Sequence, residues 1–446
     1  MQVKKIAVMG AGLVGSLLSI YLKKRGYDVE VYERRPDLRK TGAAGGRSIN
    51  LAISERGWKG LAGVGLEEEI RKMAIPMPGR MIHDVAGNLT FQPYGKPGEA
   101  INSVSRGDLN IALINAAERQ GIRFHFSQRV LETDMAGTYA MMEDTEQQRT
   151  YKLQPDLLFG ADGAYSLVRY TMLKTDKFNY SQQYEEHGYK ELTIPAGAGN
   201  TWQIEKNALH IWPRKSFMLI ALPNTDGSFT CTLFYHLRGE QSFENLTNVE
   251  ELHQFFRTYF PDALPLMPTL DQDFFSNPTG LLMIVKCFPW VNGNTVLIGD
   301  AAHAIIPFYG QGMNCGFEDC TVLDEMIERY DHRWEEILPA FQEARKPNSD
   351  AIADLAKLNF VEMRDLVADP DFQFKKRIAA KVNSIYPDRF IPVYSMVSFS
   401  HLPYAEALRE YKRQDDVLSE VIKMENIQKK WDNEYLHLIA ERLFNQ

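Results

Sequence analysis

Gly299-Asp300-Ala301-Ala302-His303-Ala304-Ile305-Ile306-Pro307-Phe308-Tyr309-Gly310-Gln311-Gly312-Met313-Asn314 is the stretch around which the chain is organised. The apolar run Thr295-Val296-Leu297-Ile298 leads into it and reads as a buried strand. An acidic turn follows, then a glycine-rich loop, then an apolar periodic segment from Cys315 that reads as a helix. Such an order suits a phosphate and sugar site. A carboxylate accepts sugar hydroxyls, glycines let backbone N–H groups come close, and a helix start favours negative charge. Taken alone, Gly299-Asp300 could equally be an ordinary strand end. Two other segments ask for the same ligand.

The first is at the N-terminus. Lys4 to Met9 reads as a strand, Gly10-Ala11-Gly12-Leu13-Val14-Gly15 as a tight turn, Ser16 to Arg25 as a helix closed by Gly26, and Asp28 to Tyr32 as a second strand ending at Glu33. This is the dinucleotide fingerprint with its strand, helix and distal acid all present. Gly10 makes the turn, Gly12 admits a pyrophosphate, Gly15 lets helix and strand pack, and Glu33 is placed for a ribose hydroxyl. Arg34 follows and could suggest a 2′-phosphate, which Glu33 would repel. The second segment is Gly160-Ala161-Asp162-Gly163, after the buried strand Asp156 to Phe159. A doubly wound sheet would bring Asp162 to the crevice of the first turn. Arg106, at the start of the helix Ser105 to Gln120, could reach the same phosphates or be a surface cation.

Between these segments the pattern changes. Gly79 to His83 and Leu89 to Tyr94 read as a hairpin, Thr41 to Asn50 as a loop passing close to a ligand, and Gly57 to Ile75 as helical. Residues 184 to 290 read as a second sheet, in which His210 and Trp212 alternate with Leu209 and Ile211 and belong to its packing. From Cys315 on the chain reads as mainly helical, irregular from Tyr386 to Tyr404, with a last helix carrying Trp431, Tyr435, Leu438, Ile439 and Leu443.

Bulk composition limits the function classes. The chain has 446 residues, 44% hydrophobic and 24% charged, with net charge −8 and no basic stripe, which argues against nucleic acid. Four cysteines lack C-x-x-C spacing, so neither a metal site nor a disulfide framework is expected, and they suit a reducing, cytoplasmic setting. No apolar leader or run of about 18 apolar residues is visible.

The order G-x-G-x-x-G, Asp-Gly, Gly-Asp resembles the single-FAD aromatic hydroxylases of the para-hydroxybenzoate hydroxylase type. Within that group, Glu33-Arg34-Arg35-Pro36, Gly46 to Ala52, Gly79-Arg80-Met81, Gln92-Pro93-Tyr94-Gly95, His187 to Leu192, Asn207 to Pro213, Pro307 to Asn314 and Tyr394-Ser395-Met396-Val397 are similar to the kynurenine 3-monooxygenases, over nearly the whole chain. The resemblance implies an α/β fold. A Rossmann-like FAD-binding domain (1–75 with 100–180 and 290–330) would hold an inserted mixed or antiparallel substrate sheet (76–99 with 181–289), before a helical C-terminal region (331–446). It implies hydroxylation of L-kynurenine at the 3-position with NADPH and O₂, oxygen being activated at the flavin, in tryptophan degradation. NADPH would bind transiently.

For the cofactor it implies Gly10, Gly12, Leu13, Gly15, Glu33, Arg34, Arg106, Asp162, Asp300, Gly312, Met313 and Asn314. For the substrate it implies Arg80, Tyr94 and Tyr394 on the carboxylate, Asn359 on the amino-acid head with Glu362 and Met363 beside it, and Phe308 along the ring. A guanidinium forks onto a carboxylate and phenols add donors. No general base is assigned, because the ortho amino group already makes the ring electron-rich. Tyr309 departs from relatives with His there, so a substrate contact at that position would change affinity. The eukaryotic members end in a membrane anchor and this chain does not, which implies a soluble protein; a homodimer is one assembly it could form. The competing readings are another FAD hydroxylase or flavin reductase of the same fold, lacking this residue set, and a flavin-binding redox sensor without substrate-stimulated turnover.

Overall fold

Six strands form the sheet that carries the first glycine turn. The computed structural model describes residues 3–41, 50–134, 136, 139–362, 369–433 and 435–444. The strand order is Val291–Asn292, Thr295–Leu297, Leu157–Gly160, Lys5–Met9, Asp28–Tyr32, Arg123–His125. All neighbours are parallel except the first two strands. Ile6 to Met9 and Leu157 to Phe159 are buried, as expected of strands covered on both faces. The helix Leu13–Lys24 packs over this sheet, against Arg106–Arg119 and Gly312–Arg329. The three acid or glycine turns thus end adjacent parallel strands, at the crevice where such sheets take ligands.

A seven-stranded sheet stands beside it, in the order Gly280–Phe288, Asn179–Ile194, Phe229–His236, Phe217–Pro223, Leu209–Arg214, Gly79–His83, Leu89–Pro93. It is antiparallel except where Leu209–Arg214 runs parallel to Gly79–His83. Its two faces follow the period of two along each strand. Trp212, Leu219 and Leu233 pack on the helices Val249–Tyr259 and Leu270–Ser276. Ile211, Met218 and Phe234 face the helix Trp334–Val361 and the loop at Ile306 and Tyr309. Trp212 donates to Asp262 Oδ2 at 2.8 Å, and His210 and His83 join through ring nitrogens 2.8 Å apart.

Three local expectations need correction. Residues 57 to 75 are not one helix. Glu55–Ala62 and Glu67–Arg71 are separated at Gly65, whose φ is +75°, and Ile75–Met77 is a strand. Between Tyr386 and Tyr404 the chain contains a helix, Val393–Ser398, which begins directly after Pro392. The last helix starts only at Leu436, after a short helix Ile427–Lys430, so Trp431 and Tyr435 lie between the two. Phe374, Val417, Leu418, Ile439 and Leu443 form a separate apolar cluster that joins these C-terminal helices. The loop at 42–49 lies outside the described residues. Among the described residues no helix is long and apolar enough to cross a membrane.

Candidate functional site

A cavity of about 310 Å³ opens between the ends of the parallel strands, the inner face of the seven-stranded sheet and the C-terminal helices. One part of its wall comes from the glycine turns. Gly12, Leu13, Arg106, Asp300, Gly312 and Met313 line it. Gly10 and Gly15 do not, because they hold the turn together. Gly10 has φ +108°, and a Cβ there would lie 2.4 Å from Ala161 O; one on Gly15 would lie 2.0 Å from Gly10 O. Gly12 differs: a Cβ there would meet nothing within 4 Å.

These residues fit a bound dinucleotide. Gly12 leaves room where a side chain would stand, and the helix behind it has neither a side-chain cap nor an acid in its first turn. The helix from Gly312 likewise starts without a side-chain cap or first-turn acid. Free helix starts attract phosphate and other anions. Asp162 points one oxygen at its own helix, accepting from Leu167 N at 2.8 Å and Val168 N at 3.2 Å. Its Oδ1 is buried with no partner among the described residues, and burial pushes the carboxyl pKa above its ordinary value.

Glu33 is buried behind the turn, accepting from Ala11 N at 2.9 Å and from Arg35 Nε at 2.9 Å. Arg34 is exposed and does not line the cavity. Asn314 also stands back. Its side chain ties Ser54 N, Ala52 O and Gly310 O together at 2.8 to 3.0 Å, so its role is to brace the loop.

The other part of the wall holds the expected substrate residues. Arg80, Tyr94, Phe308, Asn359 and Tyr394 all line the cavity, with Tyr309 among them. Tyr94 and Tyr394 stack with ring centres 4.8 Å apart, and Tyr309 stacks on Tyr394 at 5.6 Å. Burial raises all three phenols, Tyr394 to about 12, while the Arg80 charge opposes the rise in each. They stay neutral hydrogen-bond donors around one cation. Asn359 Nδ2 donates to Phe308 O at 2.7 Å, and the Phe308 ring lies on Phe360 at 4.1 Å. Glu362 turns away to accept from the Tyr411 hydroxyl at 2.9 Å and Lys376 Nζ at 3.0 Å. Met363 lies outside the described residues.

Leu209, Ile211, Met218, Ile220 and Phe234 line the apolar wall. The alternation of Leu209 and Ile211 with His210 and Trp212 was the signal for it, and only the facing helices decide which side is lined. Beneath Asp300 lies a charge network the sequence reading passed over. Asp319 Oδ2 meets His303 Nε2 at 2.6 Å and Gly299 N at 3.1 Å, and its Oδ1 accepts from Arg345 Nε at 2.7 Å. Burial alone would lower His303, but the Asp319 carboxylate overrides it and holds the imidazole well above its usual value. Burial alone would raise Asp319, and His303 and Arg345 pull it down instead.

The family described as "FAD binding domain" matches residues 4–356. The chain is 50% identical to a kynurenine 3-monooxygenase of Flavobacterium johnsoniae over 443 residues, covering 98% of this chain and 99% of that one. It is 51% identical to one of Myxococcus xanthus, with 93% and 90% covered, and 44% identical to one of Sus scrofa, with 94% and 88% covered. Among solved structures, the tetrameric form of 2-methyl-3-hydroxypyridine-5-carboxylic acid oxygenase superposes with a TM-score of 0.68 at 20% identity, over 83% of this chain and 95% of that one. That likeness supports the fold alone.

Proposed function

Because the chain belongs to the kynurenine 3-monooxygenase family, we infer that it hydroxylates L-kynurenine to 3-hydroxy-L-kynurenine with NADPH and O₂. It is an FAD-dependent monooxygenase. Bound FAD supplies the redox chemistry, taking electrons from NADPH and activating O₂. We assign its phosphates to the helix start at Gly12 and Leu13 with Arg106, and its sugar and ring end to Asp300, Gly312 and Met313. Glu33, Gly10 and Gly15 hold the turn in shape. Asp162 Oδ1, buried and partnerless among the described residues, is the free acceptor on that side.

The observation that carries the substrate assignment is one guanidinium, Arg80, among three neutral phenols in the same cavity. A free amino acid brings a carboxylate, which Arg80 takes in a forked contact with hydroxyl donors from Tyr94, Tyr309 and Tyr394. Asn359 stands by the head group, and Phe308, Phe234 and Ile211 enclose the aryl ring. Enclosure excludes water and fixes the ring carbon that receives oxygen. No histidine, glutamate, lysine or cysteine is among the described residues lining the cavity. That agrees with a ring whose ortho amino group already supplies electron density.

We propose the division into 1–75 with 100–180 and 290–330 for the cofactor, 76–99 with 181–289 for the substrate sheet, and 331–446 as the helical region. We also propose a cytoplasmic location, on four buried free thiols, and a homodimer, to be read by sedimentation. The experiment for the function is NADPH oxidation by the purified protein with and without L-kynurenine, with the product weighed. Strong stimulation and a product heavier by one oxygen are expected. No stimulation of a folded, FAD-loaded protein overturns the substrate assignment.

A further inference from the structure

Arg56 has a fully buried side chain on the helix Glu55–Ala62, away from the cavity wall. Every face of its guanidinium is engaged. Nε donates to Glu318 Oε1 at 2.8 Å, Nη1 to Val397 O at 2.5 Å and Ser400 O at 2.8 Å, and Nη2 to Leu402 O. Its Cζ sits 4.0 Å over the Tyr404 ring, whose hydroxyl donates to Gln311 Oε1 at 2.8 Å. Val397 O belongs to the last turn of the helix Val393–Ser398, which carries Tyr394 one turn earlier, and Ser400 O and Leu402 O to the chain just after it. Glu318 belongs to the helix Gly312–Arg329, whose start lines the cavity. Its second oxygen accepts from Arg345 Nη1 at 2.6 Å; Arg345 Nε donates in turn to Asp319, whose other oxygen accepts from Gly299 N.

A buried cation is costly unless it is paired and its donors are filled. Apolar side chains would close this gap at lower cost if packing were its only task. What the guanidinium adds is direction. One planar group with five donors fixes a non-helical segment against a helix, as no apolar contact would. The stack of Tyr394 on Tyr94 and Tyr309 needs that segment in register, since ring contacts and a hydrogen bond between the Tyr94 and Tyr394 side chains join them.

We propose that Arg56 is a positioning residue for substrate recognition: it holds Val397 to Leu402, and so Tyr394, in register with the helix that starts the cofactor site. The proposal rests on the substrate reading above. A merely structural arginine would weaken both ligands together, whereas a positioning one separates them.

The test uses the full chain with FAD bound and the variant Arg56→Lys, which keeps the charge for Glu318 but cannot reach three carbonyls at once. Arg56→Met is the second variant. Glu318 keeps Arg345 as its partner there, so no carboxylate is orphaned and the variant decides in the same way if the lysine variant does not fold. The readouts are KM and kcat for kynurenine, FAD affinity from flavin fluorescence, and amide exchange along residues 393–402. The expected result is a KM raised by about 10- to 100-fold with a smaller change in kcat, FAD affinity within about threefold, and faster exchange confined to 393–402. Unchanged KM and exchange in a folded, FAD-loaded variant overturn the proposal, as does loss of FAD affinity in step with KM. If the unaltered protein does not turn over kynurenine, the substrate reading fails by itself, and the exchange measurement alone decides whether Arg56 positions the segment.

Discussion

A guanidinium among three un-ionised phenols is prepared for a carboxylate, because among the described residues no acid forms an ion pair with it. Arg80 donates from Nε to Gln92 Oε1 at 3.1 Å, which fixes its direction without neutralising it. Arg80→Ala is expected to cost about 2–4 kcal/mol of kynurenine binding, read as a higher KM, with FAD affinity unchanged. Unchanged KM would remove Arg80 from substrate binding. The phenols set a second expectation. Burial holds Tyr394 at about 12 against an ordinary 10.0, so the unfolded chain loses its proton first as pH rises. Its contribution to stability is complete below pH 10.0 and lost on the way to about 12; Tyr394→Phe should flatten melting temperature over that interval. Sequence motifs pointed to Arg80, Tyr94, Phe308, Asn359 and Tyr394, because short local patterns carry their identity. The hydrogen bonds of Glu362 to Tyr411 and Lys376 were not legible, because these partners come from helices whose packing no local pattern encodes. Tyr309 showed only as a departure, and its ring proves to extend the Tyr394 stack.

At the level of elements, the first turn separates two kinds of glycine that look alike in a motif. Gly10→Ala would force a side chain onto φ +108° and against Ala161 O, and is expected to destabilise the apoprotein by at least about 1–3 kcal/mol. Gly12→Ala meets no protein atom, so the apoprotein should melt unchanged while FAD affinity falls. Calorimetry of the apoproteins with flavin titration checks both, and equal melting losses would refute the distinction. The pair His303 and Asp319, which braces the Gly299 turn, gives a pH expectation. His303 is raised above its ordinary 6.5, so its contribution is full below 6.5 and lost as pH climbs toward the folded value. Asp319 is lowered below 3.8, so its share is present above 3.8 and lost as pH falls further. His303→Gln should flatten the alkaline decline and shrink the acid one, because Arg345 alone then holds Asp319 down, in denaturant titrations from about pH 2.5 to about pH 9. The strand–turn–helix at Gly10 and the alternation at Leu209 to Trp212 were legible, since period and turn chemistry are local. The break at Gly65 was hidden by apolar spacing that suits one long helix or two short ones.

For the whole molecule, strand content was readable but strand order was not. Nothing local says that Leu157–Gly160 lies between Lys5–Met9 and Thr295–Leu297, or that Gly79–His83 pairs parallel with Leu209–Arg214. Those pairings make the cavity. The C-terminal cluster around Phe374, Val417, Ile439 and Leu443 is a further apolar body. Removing residues 436–444 should expose it, speed proteolysis of 370–385 and 404–421, and leave FAD affinity unaltered; a fall in FAD affinity would show that the cluster also supports the cofactor site. The residues assigned to FAD, from Gly12 through Arg106 to Asp300 and Met313, all precede the residues from Asn359 to Tyr394 that complete the carboxylate site. A nascent chain leaves the ribosome N-terminus first. It can therefore capture its flavin while its last hundred or so residues are still being translated. It cannot grip kynurenine until those residues are out, so the residues assigned to the cofactor are complete before those assigned to the substrate.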